Sequence, residues 1–317
     1  MPILPAGPES IARAVALLRS GGVVALPTET VYGLGALVWD APAVARIFEI
    51  KRRPGFDPLI VHVADREALE RVAARVPKAA ETLIARFWPG PLTIVLPKRP
   101  RVPGLVTAGL SSVAVRMPSH PVARALLRGL GEPLAAPSAN AFGGLSPTRA
   151  AHVAQALGAD VDLILDGGAT HYGIESTIVA LEPTPVLLRP GALAAEEIEE
   201  AIGPLARGAP SGPGSAPGQL PVHYAPRTPL RVINPAEVPP PERAAAGALA
   251  FREPFEGYGA VRVLSRRGDL REAAAAFFEA LHELDALGLE RIDAQPLEER
   301  GLGLAMMDRL RRGAAAH

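Results

Sequence analysis

Five short polar clusters stand where apolar runs end, and they hold the side chains best suited to chemistry. Pro27-Thr28-Glu29-Thr30-Val31-Tyr32-Gly33-Leu34-Gly35 follows an apolar run directly and gathers two threonine hydroxyls, a carboxylate and two glycines. Open α/β sheets bind ligands at such strand ends. The stretch reads equally as a cleft-lining loop or as a tight turn into a capped helix. Lys51-Arg52-Arg53-Pro54 ends a helical pattern. Its charges suit either the helix dipole or a phosphate. Arg116 lies inside the apolar run Val113 to Met117, where a guanidinium needs an anion or a sheet edge. Pro137-Ser138-Ala139-Asn140, with Ser146-Pro147-Thr148 beyond it, sets hydroxyls and backbone amides near a helix start, a natural anion site. Glu175-Ser176-Thr177 opens a run, and Arg189-Pro190-Gly191 closes a hairpin. Singly these are weak signals. Together, Lys51, Arg53, Arg116 and Arg189 suit a polyphosphate in a concave cleft.

The elements that must hold these clusters follow from periodicity. Residues 8–20 have helical spacing stopped by Gly21-Gly22, and Val23 to Leu26 reads as a buried strand. Ala41 to Ile50 is helical. Leu59 to Val63 is a strand, with Asp65 as the N-cap of the next helix. Leu92 to Leu96, Val113 to Met117 and Leu163 to Asp166 are strands. Thr148 to Leu157 is a helix with Ser146 or Thr148 near its cap, and 176–189 is a hairpin followed by a helix over 194–202. The class is α/β with a mixed sheet.

Residues 204–228 hold Pro204, Pro210, Pro213, Pro217, Pro221 and Pro226 among Gly and Ser, the composition of a linker. It ends on His223-Tyr224-Ala225-Pro226, an aromatic and an imidazole that could dock or simply pack. Residues 229–317 return to α/β patterns: strands at 230–233, 247–251 and 261–264, and helices at 270–287 and 302–312. The division is therefore 1–203, 204–228 and 229–317.

Composition narrows the function. The 33 basic and 33 acidic residues cancel and aromatics are 4%, so direct RNA binding is expected to be weak or absent. There is no cysteine, which removes thiolate nucleophiles and Cys-ligated zinc. No P-loop, complete G-x-G-x-x-G, H-E-x-x-H or G-x-S-x-G occurs. No apolar run reaches membrane-spanning length, and the first residues do not have the pattern of a signal peptide, so a cytoplasmic protein is expected.

The order of these clusters resembles the Sua5/YrdC/YwlC family of threonylcarbamoyl-AMP synthases. The likeness rests on the 27–35 stretch, Lys51-x-Arg53-Pro54 leading into Pro58 to His62, Phe87-Trp88-Pro89-Gly90-Pro91-Leu92-Thr93, and Val115-Arg116-Met117-Pro118. It continues through Ser138-x-Asn140, Glu175-Ser176-Thr177 and Leu188-Arg189-Pro190-Gly191. His223-Tyr224-Ala225-Pro226 and Asp308-Arg309-Leu310 resemble the long, two-domain form.

The resemblance implies a twisted mixed sheet of YrdC type, flanked by helices around a concave cleft, plus a smaller Rossmann-like C-terminal domain. It implies that L-threonine, bicarbonate and ATP, with Mg²⁺ accompanying the ATP, give threonylcarbamoyl-AMP and pyrophosphate. A tRNA threonylcarbamoyl-transferase system would then use the product for t6A at position 37 of ANN-decoding tRNAs. By resemblance, Lys51, Arg53 and Arg116 are catalytic, and Thr30, His62, Arg116, Ala136 and Ser176 hold threonine. Lys51, Arg53, Asp57, Ser112, Ser138, Asn140, Ser146, Arg189 and Tyr224 would meet ATP, with Tyr224 as part of a lid and no protein cage for the metal. Asp57 stands where many relatives have Asn, so it either helps hold Mg²⁺ or points away from the phosphates. The 216–222 stretch departs from the basic linker of relatives. The rival readings are an RNA- or nucleotide-binding regulator without turnover and a carbamoyl transferase of the hydrogenase-maturation type. The absence of cysteine argues against the latter's context.

Overall fold

In a computed structural model describing residues 2–208, 217–218, 220 and 222–316, the apolar runs of the first two-thirds pair into one sheet. Its strands are β1 (Ile3–Pro5), β2 (Val24–Leu26), β3 (Gly33–Leu37), β4 (Ile60–His62), β5 (Leu92–Pro97), β6 (Ser112–Arg116), β7 (Leu134–Ala135), β8 (Leu163–Asp166), β9 (Thr177–Ala180), β10 (Val186–Arg189) and β11 (Ala206–Arg207). They lie in the order β1-β8-β2-β3-β7-β4-β6-β5-β9-β10-β11, with parallel and antiparallel pairs mixed. The helices are α1 (Pro8–Arg19), α2 (Ala41–Lys51), α3 (Arg66–Val72), α4 (Lys78–Phe87), α5 (Pro121–Leu130), α6 (Ala150–Leu157) and α7 (Ala195–Ile202).

Side-chain alternation explains where the cleft lies. In β4 and β6, Val61, Val113 and Val115 face the main core with Ile47 of α2, Leu69 of α3 and Leu83 of α4. Each fully buried Val, Leu or Ile there contributes about 1.5–3 kcal/mol. Toward the β1 edge, α1 and α5 cover the sheet through Leu18, Leu126 and Leu127. The alternate residues of the central strands, Ile60, His62, Ser112, Ala114 and Arg116, point the other way. Ile60 and Ala114 there meet only a small apolar cluster with Ile178 and Leu188. This face is the floor of the site.

The C-terminal sheet is wholly parallel: β12 (Leu230–Val232), β13 (Ala246–Ala250), β14 (Ala260–Val263) and β15 (Arg291–Ala294), in the order β12-β15-β13-β14. Helix α8 (Leu270–Asp285) links β14 to β15 and starts at Asp269, whose carboxylate accepts from Glu272 N at 2.8 Å. Helix α9 (Leu302–Ala314) follows. Their core of Phe277, Phe278, Leu281, Ile292, Met306 and Leu310 continues into Val31, Leu145, Ile174 and Ala192 of the first domain. The two domains thus share buried apolar surface.

Two expectations need correction. The 27–35 stretch does not enter a helix. Gly33 begins β3, which pairs antiparallel with β2 as a hairpin. At Gly35 an added Cβ would stand 3.1 Å from Leu26 Cδ2, tighter than ordinary contact, so the glycine lets β2 and β3 pack closely. Helix α6 is not capped by Ser146 or Thr148. Its N-cap is Arg149, and both hydroxyls serve other partners, Ser146 giving to Glu175 and Thr148 to Glu279 at 3.2 Å. Asp65, by contrast, caps α3 through Ala68 N at 2.9 Å. Of the linker, Pro210, Pro213, Pro221 and part of the 216–222 stretch lie outside the described residues.

Candidate active site

Strand register brings the first two functional groups together. Parallel pairing of β4 and β6 sets His62 directly beside Arg116, both at strand ends. Arg116 is buried, and its Nη2 meets Glu29 Oε1 at 2.7 Å while Nη1 donates to Thr30 Oγ1 at 2.8 Å. The anion that this buried guanidinium needed is therefore present in the chain, on the turn between β2 and β3. Thr30 Oγ1 also meets Thr28 Oγ1 at 2.9 Å, and Thr28 gives its proton to Val31 O at 2.6 Å. Arg116 Nε and His62 Nδ1 are buried with no hydrogen-bond partner among the described residues. Burial, aided by the Arg116 charge, pulls the His62 imidazole down to about 3, so it is neutral at neutral pH.

The opposite wall comes from the β9–β10 hairpin. Arg189 donates twice to Ser176 O, at 3.1 and 2.9 Å, and once to Ser176 Oγ at 3.1 Å. Ser176 Oγ also meets Thr93 Oγ1 at 2.8 Å. Gly191 is required here because a Cβ would stand 2.4 Å from the Ser176–Thr177 backbone. Burial lowers the Arg189 value from that of an ordinary arginine.

At the end of α2 the chain turns through Arg52, in the left-handed region at φ 52°. This sends Lys51 and Arg53 inward. Arg53 pairs with Asp57 Oδ2 at 2.9 Å and holds Pro58 O at 2.8 Å. Asp57 thus faces an arginine of its own loop. Burial pushes its carboxyl up, against the pull of Arg53, Lys51 and Arg189. Lys51 Nζ donates to Ser138 O at 2.6 Å and to Asn140 O. It fastens the 138–140 loop from behind, and burial, followed by the Arg53 charge, pulls it well below the ordinary lysine value. Asn140 Nδ2 donates to Gly144 O at 2.8 Å, within the same loop.

These pieces enclose a cavity lined by Thr30, Arg53, His62, Arg116, Ala136, Ser138, Ser176, Arg189 and, from the strap, Tyr224. Lys51, Asp57, Asn140 and Ser146 lie just behind the lining. Ser112 is set apart. It occupies the far end of β6, in a separate depression with Val95, Ala180 and Leu188, on the same sheet face as Arg116. The apolar strip Ile60, Ala114, Ile178 and Leu188 runs between the two.

The strap enters through Pro217-Gly218 and Ala225. Arg189 Nη1 donates to Pro217 O at 3.2 Å, and Ala225 N donates to Gly143 O at 2.8 Å. Tyr224 is buried at φ 62°, and burial pushes its phenol up to about 12. Its hydroxyl lies against Gly218, where a Cβ would be 2.4 Å away.

Sequence reasoning named Glu29, Glu175, His223 and Arg309 only within their motifs and assigned none of them a partner or site role; all four are buried here. A buried arginine on β6 was the available signal for Glu29. For Arg309 the signal was its place on the apolar stripe of α9 with Leu302, Ala305 and Met306. Among the described residues no group of three or more His, Asp or Glu could hold a metal ion, and no helix is long and apolar enough to cross a membrane.

A family model described as "Telomere recombination", whose name joins Sua5, YciO and YrdC, matches residues 16–191. A second, "Threonylcarbamoyl-AMP synthase, C-terminal domain", matches residues 193–315. The threonylcarbamoyl-AMP synthase of Pyrococcus abyssi is 44% identical over 315 residues, spanning 95% of this chain and 93% of its own. The chain belongs to the threonylcarbamoyl-AMP synthase family. The Bacillus subtilis member is 43% identical over 324 residues, 96% of this chain and 92% of its own. The crystal structure of the Pyrococcus abyssi protein complexed with L-threonine superposes with a TM-score of 0.91 at 42% identity, covering 99% of this chain and 98% of that one. As a member of this family, the chain carries both of its domains, the C-terminal one included.

Proposed function

We propose that this protein is an L-threonylcarbamoyladenylate synthase acting in t6A formation. The observation that carries the proposal is a cavity at the ends of β4 and β6. There a buried guanidinium, two threonine hydroxyls and a neutral imidazole face a second wall bearing Arg189 and Arg53. L-threonine fits the first wall. Its carboxylate would meet Arg116, whose Nε is free for it, with Thr30, His62, Ala136 and Ser176 around the amino acid. ATP fits the second wall, with Arg53, Ser138 and Arg189 toward the phosphates. Lys51, Asn140 and Ser146 act behind them by fixing the loops. The apolar strip leading to Ser112 suits the base and ribose.

In this reading the carboxylate of N-carboxy-threonine, formed from threonine and bicarbonate with loss of water, attacks the α-phosphorus. A new O–P bond forms, the bond to the β-phosphate bridge breaks, and pyrophosphate leaves. The protein's part is positioning and charge neutralisation by preset guanidinium groups. Mg²⁺ is proposed to arrive with ATP, held by phosphates and water. Asp57 is proposed to steady Arg53, since that pair uses its carboxylate. Tyr224 closes the strap over the nucleotide and keeps water from the carbamate and the adenylate. The cytoplasm is the proposed location, and a tRNA threonylcarbamoyl-transferase system the proposed consumer.

Purified protein with L-threonine, bicarbonate, Mg²⁺ and α-labelled ATP should form an adenylate and pyrophosphate dependent on both threonine and bicarbonate. ATP binding with no product at any threonine or bicarbonate level would overturn the proposal in favour of a nucleotide-binding regulator.

A further inference from the structure

Arg309 is the largest side chain fully hidden from solvent, and it belongs to α9 of the C-terminal domain. Its Nε donates to Glu175 Oε2 at 3.0 Å. Its Nη1 donates to Pro190 O at 2.5 Å and Ala305 O at 3.2 Å, and it contacts Asp308 Oδ2 at 3.3 Å. Its guanidinium carbon lies 5.1 Å from the Tyr224 ring centroid. One side chain therefore touches two parts of the cavity wall, Glu175 and the strap tyrosine, and also the Pro190 carbonyl directly after the wall residue Arg189. Glu175 lines the cavity and accepts from Ser146 with its other oxygen. Burying a guanidinium this deeply gains little stability over an apolar side chain of similar size, so stability alone does not account for it.

We propose that Arg309 is a positioning residue for adenylate formation, tying closure of the Tyr224 strap to the order of the Glu175–Ser176 turn. This rests on the synthase reading above. Without its fork, Glu175 keeps only the Ser146 donor and the tyrosine ring loses its cation. The strap then opens more often while product is bound. Water attacks the α-phosphorus of the adenylate, the bond to the carbamate oxygen breaks, and AMP and N-carboxy-threonine leave.

The test compares wild type, Arg309→Lys, Arg309→Met and Arg311→Met in the full chain. Arg311 lies on the same helix but pairs with exposed Glu299, so its variant is the control. Three quantities are read: kcat, the ratio of AMP to threonylcarbamoyl-AMP, and the melting temperature. Arg309→Met should lower kcat by about tenfold or more, as small misplacements at a reaction centre do, and raise the AMP ratio. Arg309→Lys keeps the charge but cannot reach Glu175 and Pro190 together, so it should keep most of the melting temperature and still show the raised ratio. If Arg309→Met does not fold, the lysine variant decides. A folded Arg309→Lys with wild-type kcat and ratio overturns the proposal while the synthase reading stands. A wild-type protein that makes no adenylate overturns that reading and takes this proposal with it.

Discussion

Arg116 and Glu29 form a buried pair, with side chains 4% and 5% exposed and 2.7 Å between charges. Replacing Arg116 with Met leaves the Glu29 carboxylate buried with no cation against it. Breaking such a pair costs about 3–5 kcal/mol. For a chain of this size that is a fall in melting temperature of roughly 6–10 °C, taking about 2 °C per kcal/mol. The same substitution removes the proposed partner of the threonine carboxylate, so a single variant cannot separate structure from binding. The double variant Arg116→Met with Glu29→Gln can. It replaces the ion pair with two uncharged side chains, and most of the lost melting temperature should return. Threonine-dependent adenylate should not return, because the amide cannot replace the guanidinium. Thermal melts and the labelled-ATP assay, run on both variants, check this. A double variant that recovers both stability and threonine-dependent turnover would refute the assignment of Arg116 to the substrate.

Further outcomes follow from other contacts. Gly218→Ala places a Cβ 2.4 Å from the Tyr224 hydroxyl at a φ of +81°, so it should push the strap outward and lower kcat about tenfold, with a melting temperature near wild type. Lys51→Met leaves the Ser138 and Asn140 carbonyls without their donor at about 1–3 kcal/mol each, so melting should fall and the KM for ATP should rise. His152, stacked on His282 with ring centroids 3.9 Å apart, is pulled by burial from 6.5 down to about 4. The unfolded chain therefore binds this proton first, and the neutral histidine's contribution is full above about pH 6.5 and lost as pH falls toward 4. Denaturation midpoints across that window should fall with pH for wild type, and with a shallower slope for His152→Gln.

The chain's periodicity and motifs determined a good deal. Apolar runs at Val23, Leu59, Leu92, Val113 and Leu163 locate strands because alternation and length are local properties. Asp65 and Asp269 lie where helices begin, and Asp65 was readable as a cap for the same local reason. The polar clusters at strand ends were visible because a sheet sends its strand ends to one cleft, and Thr30, His62, Arg116, Ser138, Ser176 and Arg189 do meet there. Tertiary structure decided what each polar atom faces. Helix spacing could not say that Lys51 fastens a loop, that Asp57 answers Arg53, or that Ser146 serves Glu175 and leaves α6 uncapped, since those partners are distant or set by a left-handed turn. Ser112 and Arg116 lie on one strand face, yet strand length sets them at opposite ends of it. Arg309 reads as a charge on an amphipathic helix, and only the packing of α9 against the first domain sets it behind Glu175, a wall residue of the site.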